Sequence, residues 1–74
     1  MKSFHEYMMR YRGAKLASQK KERELAEWMF HDHDFPKHSC DYDEISRYLE
    51  WNIPFTDALR LFDQLWEDYI ETQR

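Results

Sequence analysis

At 74 residues the chain has room for one hydrophobic core and no second domain. One glycine, two prolines and a single cysteine exclude a hairpin-rich sheet, phosphate-cradling glycine loops and an intrachain disulfide, and the lone thiol suits a reducing compartment. The net charge of −4 is unevenly spread: residues 1–21 hold Lys2, Arg10, Arg12, Lys15, Lys20 and Lys21 against Glu6 alone, a net of +5, whereas five Lys/Arg meet fourteen Asp/Glu in 22–74, a net of −9.

In chain order, the opening ten residues carry no apolar leader, and no stretch approaches the ~18 apolar residues of a membrane span, so a cytoplasmic protein is expected. Ser3 with Glu6 reads as a capping box. Phe4, Tyr7, Met8 and Tyr11 then form one apolar face at i, i+3, i+4, i+7, and Gly13 suits the left-handed position after a helix end, which predicts a first helix over about 3–12. Leu16, Leu25, Trp28 and Met29 suggest a second stripe, starting near Ser18 and running to about His33. Asp34-Phe35-Pro36 must interrupt it, because the residue before a proline is pushed towards extended backbone, and Phe35 is expected to plug the core from a loop.

Asp41 with Glu44 repeats the capping pattern ahead of Ile45, Tyr48 and Leu49, a third helix ending near Trp51 and Asn52. Pro54 is suited to a first helical turn, and from there Phe55, Ala58, Leu59, Phe62, Leu65, Trp66, Tyr69 and Ile70 make the cleanest 3.6-residue stripe in the chain. That fourth helix is expected to be the central packing element. Five Phe, five Tyr and three Trp compensate for the short chain, since each aromatic side chain can bury ~150–250 Å². The expected fold is all-α: a single domain over 1–74, four helices in a compact orthogonal array or bundle.

Lys2-Ser3-Phe4 with Tyr7 and Arg12, Phe35-Pro36-Lys37, Asp41-Tyr42 through Tyr48-Leu49-Glu50, and Phe62-Asp63 ahead of Trp66 and Tyr69 occur in an order that resembles the YozE-like family of small bacterial proteins. The resemblance covers nearly the whole chain. It implies a helical fold similar to sterile-alpha-motif domains and implies no established activity. The crowding of His31, His38 and Cys40 departs from the family pattern, so the resemblance supplies no metal role.

Four groups of residues carry candidate chemistry. His31, His33, His38 and Cys40, with Asp32 and Asp34, offer ligands that zinc or nickel accepts, yet residues two apart on a helix point about 200° apart and cannot grip one ion. Ordinary surface residues around a helix end are the simpler reading, and no cofactor is expected. Cys40 beside His38 supplies a nucleophile and a base type, but no third group orients them and a small helical domain has little room for a substrate, so no enzyme is expected. Met9, Phe30, Trp51 and Ile53 fall off or at the margin of the stripes. Phe30, Trp51 and Ile53 are therefore the candidate contact patch for a protein partner or for self-association. The alternative is nucleic-acid binding by Lys2, Arg10, Arg12, Lys15, Lys20 and Lys21, against which stand the negative overall charge and the missing glycine-containing hairpin of helix-hairpin-helix proteins.

Overall fold

The Ser3 backbone is extended and its Oγ accepts the Glu6 amide at 3.1 Å, which starts α1 (Phe4–Met8). The helix tightens into a 3-10 turn, Met9–Tyr11, so the two pieces together fill the expected first segment. The computed structural model describes all residues 1–74. Gly13 takes the left-handed position just past Arg12, the residue that ends the 3-10 turn, as expected from its place after the helix. Arg12 (φ −67°, ψ 127°) and Gly13 (φ 80°) are the central residues of a type II turn closed by the Ala14 amide on the Tyr11 carbonyl at 3.1 Å, the turn whose third position demands positive φ.

A second 3-10 turn, Ala17–Gln19, leads into α2 (Lys20–His31). Leu16 lies ahead of both in extended conformation and is 62% exposed, so it does not join the stripe of Leu25, Trp28 and Met29 assigned to it from spacing. The helix also ends two residues short of His33. Asp32 turns extended, donates its amide to Trp28, accepts the Asp34 amide at 3.1 Å and takes the Tyr48 hydroxyl, and this local side-chain bonding replaces a further helical turn. Phe35 does plug the core from the loop, its ring edge-on to Trp28 and Tyr48 at 6.1 and 5.5 Å.

α3 (Tyr42–Trp51) is capped by Asp41, which accepts the amide of Asp43 at 3.0 Å. α4 (Ala58–Thr72) begins later than Pro54. Residues 54–57 form a turn, with Ala58 donating to the Phe55 carbonyl at 3.1 Å, Phe55 packed against the core, and the Asp57 carboxylate drawn to Lys21 at 2.9 Å instead of capping its own helix.

α4 meets α1, α2 and α3, and its Phe62, Leu65 and Tyr69 are buried. Phe4 stands edge-on to Phe62 at 5.2 Å and to Tyr69 at 5.5 Å, while Met8, Leu25, Met29, Ile45 and Leu49 close around them. No polar or charged residue is buried and no buried side-chain polar atom lacks a partner, so the core carries no desolvated group in need of a ligand. The chain ends are pinned together: Tyr69 donates its hydroxyl to the Lys2 carbonyl and the Lys2 amide donates to Gln73 at 3.1 Å, while the Phe4 amide donates to Ser39 at 3.2 Å and ties α1 to the loop ahead of α3. The radius of gyration, 11.3 Å, is that of a compact chain of this length. No helix is long and apolar enough to cross a membrane.

Candidate interaction surface

The largest depression lies between α3 and the loop that carries Asp34 and Pro36. It is a shallow concavity of about 800 Å³, lined by Asp34, Pro36, Asp41, Asp43, Glu44, Arg47, Tyr48, Trp51 and Asn52. Glu44, Arg47, Tyr48 and Trp51 recur at i, i+3, i+4, i+7, so one face of α3 supplies its wall. Four carboxylates face one arginine there. Asp43 and Glu44 occupy the first turn of α3, where negative charge is favoured by the helix dipole.

At the C-terminal end of that face Trp51 is 86% exposed, and Ile53 just beyond the helix is 49% exposed. The other two tryptophans pack against the core. A second, adjoining depression shares Asp34, Tyr48 and Asn52 with the first and reaches Trp28, His31 and Asp32 at the end of α2. Between them Tyr48 is fixed by its hydrogen bond to Asp32, and burial together with that carboxylate pushes the phenol up to about 12, so it stays a protonated donor. Tyr42 donates to Asp63 at 2.6 Å, which raises its pKa and ties the start of α3 to α4.

Phe30 lines neither depression. It lies under the Arg12 guanidinium, 3.5 Å from the ring centroid, and Arg12 is held there by Glu27 at 2.9 Å. Hydrogen bonding to Arg12 lowers the Glu27 pKa. Met9 packs against the core. Of the basic N-terminal residues, Lys21 pairs with Asp57, and Arg10 stacks over the Tyr7 ring at 4.2 Å. Lys2, Lys15 and Lys20 are exposed and form no ion pair.

The His/Cys residues are dispersed. His31 sits 3.6 Å from Glu27 and against the Phe30 ring, and His33 is exposed in the loop. His38 borders a separate depression with Glu44, and the exposed Cys40 thiol donates to the Lys2 carbonyl at 3.6 Å. No group of three or more His, Cys, Asp or Glu side chains is arranged to hold a metal ion. Sequence reasoning passed over His5, whose Nε2 lies 3.3 Å from the Met29 carbonyl in the last turn of α2; burial lowers its pKa, so the ring favours the neutral form. It also passed over the acidic wall beside Trp51. The spacing of Glu44, Arg47, Tyr48 and Trp51 was the available signal, but Asp34 joins them only through the fold.

Over residues 3–71 the chain matches the family described as the YozE SAM-like fold. It belongs to that family. A UPF0346 protein of Bacillus licheniformis is 47% identical to it over 75 residues, covering the whole of both chains. One from Listeria innocua is 41% identical over 93% of this chain and 87% of its own, and the UPF0346 protein YuiB of Lactococcus lactis is 45% identical over 93% and 97%. No solved structure matches the chain. Membership in the YozE SAM-like family agrees with the four-helix, strand-free architecture, and the matched span contains Trp51, Ile53 and every residue that lines the acidic concavity.

Proposed function

We propose that this YozE-like chain is a small interaction protein with no catalytic chemistry of its own, and that its contact surface is the α3 face ending at Trp51 and Ile53. The observation that carries this reading is the 86% exposure of Trp51 in a chain that packs its other tryptophans against the core. Burying an aromatic side chain of ~150–250 Å² at ~25 cal/mol per Å² corresponds to about 4–6 kcal/mol before the costs of association, and tryptophan is among the residues enriched at binding hot spots. Phe30 is peripheral to this surface because Arg12 already covers one face of its ring.

Phosphate binding by the basic third has less support: Arg12 and Lys21 are engaged by carboxylates, Arg10 lies over the Tyr7 ring, and these with Lys2, Lys15 and Lys20 leave little free charge to offset a negative protein. Affinity capture from the cells that make the protein, with Trp51→Ala beside the unchanged chain, tests the contact reading. The expected result is a set of partners retained by the unchanged protein and lost by the variant. Retention of nucleic acid instead, weakened steeply by salt and indifferent to Trp51, would replace this reading with the phosphate-binding one.

A further inference from the structure

We propose that the occupant of the Trp51 surface is a second copy of this chain, docked head to tail so that the bend carrying Lys15, Leu16 and Lys20 in one copy enters the acidic concavity of the next. This rests on Trp51 marking a contact surface, and it adds the identity of the partner.

The concavity sets the requirements. Asp34, Asp41, Asp43 and Glu44 outnumber Arg47, and the exposed indole of Trp51 joins the lining, with exposed Ile53 two residues further along the chain, so a fitting occupant combines cationic groups with an apolar one. The chain presents that combination itself. Leu16 is 62% exposed in the extended residue ahead of the Ala17–Gln19 turn, and Lys15 and Lys20 beside it are exposed and free of ion pairs. Each surface lacks what the other supplies: a leucine with two lysines on one, a tryptophan with four carboxylates on the other.

One molecule cannot satisfy both at once. Lys20 and Lys21 begin α2, whereas His31 and Asp32 at its end border the depression shared with Tyr48 and Asn52. The twelve residues of α2 span about 18 Å at 1.5 Å per residue, so the basic bend and the acidic groove lie at opposite ends of the same helix. Unlike surfaces at opposite ends make a heterologous contact, which extends as an open chain unless rotation closes it into a ring. A specific contact needs roughly 1,000 Å² in total, about a tenth of each copy's 5026 Å² surface. Association is therefore modest in strength, dependent on concentration and weakened by salt.

Analytical ultracentrifugation over a range of protein and salt concentrations, with circular dichroism to confirm folding, tests the proposal. Mass should rise with concentration in the unchanged protein. Lys15→Glu with Lys20→Glu removes the donor surface, and Asp34→Lys with Glu44→Lys removes the acceptor surface; each pair should weaken self-association about tenfold or more. Mixing the two variants should restore association, because the first keeps an intact groove and the second an intact bend. Trp51→Ala, which leaves the α3 cap untouched, should also abolish association, and it replaces the charge-reversed groove variant where that one fails to fold. An unchanged protein that stays monomeric at every concentration overturns the proposal, as does a mixture that fails to dimerise. If such a monomer still captures another protein through Trp51, the contact reading stands and only the self-partner is lost.

Discussion

His5 joins α1 to the end of α2 by placing a ring nitrogen at the Met29 carbonyl, and burial holds its pKa below the ordinary 6.5. Above pH 6.5 the ring is neutral in the folded and unfolded chains and its full contribution is present. As the pH falls from there through the folded-state pKa, the unfolded chain takes the proton first and stability is lost. The lowered carboxylates of Glu27 and Asp57 titrate below their ordinary 4.5 and 3.8, so these two stay charged in mildly acidic solution. Urea midpoints should decline between neutral pH and pH near 5. In His5→Gln, which keeps an amide donor, that decline should be smaller. Gly13 makes a separate prediction. A Cβ there meets nothing within 4 Å, yet φ is 80°, so Gly13→Ala should cost about 1–2 kcal/mol through backbone strain alone, read as a lower urea midpoint with an unchanged slope.

At the scale of elements, the five-residue α1 depends on its cap and on the residues that pin it. Ser3→Ala should cost about 1 kcal/mol, and Tyr69→Phe a similar amount by removing the bond to the Lys2 carbonyl. Faster amide hydrogen exchange confined to α1 in both variants would check this. The helix faces were legible because periodicity reports burial directly: Phe4, Tyr7 and Met8, then Ile45 and Leu49, then Phe62, Leu65 and Tyr69 are all buried as their spacing requires. Helix ends were less legible because the same residue types serve several local structures. Pro54 fits a first helical turn or the turn ahead of one equally well. Lys21, 36 positions away in sequence, takes the carboxylate of Asp57. Leu16 fits the spacing of the second stripe, yet three residues of 3-10 turn separate it from α2.

For the whole molecule, a core of this size seldom supplies more than ~3–5 kcal/mol, and removing a central aromatic costs about as much. Phe62→Ala should therefore leave little folded protein by circular dichroism, since Phe62 is fully buried against Phe4 and Trp66. Trp51→Ala should behave in the opposite way, because so exposed an indole adds little to folding. The candidate surface was half legible. Trp51 and Ile53 stand out as apolar residues off the helical stripes, whereas the acidic wall appears only when the 34–36 loop folds against α3. Phe30 had the same sequence signal as Trp51, and the Arg12 guanidinium that lies over it comes from a turn 18 positions earlier.

That contrast makes Trp51 the decisive position of the contact surface. Capture from native extracts should be compared for the unchanged chain and Trp51→Ala, with both first shown to have the same urea midpoint. The two proteins should be equally stable, and the variant should lose the bound partner, including any second copy of the chain. Equal capture by the two proteins, or a variant whose midpoint collapses with its binding, would contradict a surface built for contact.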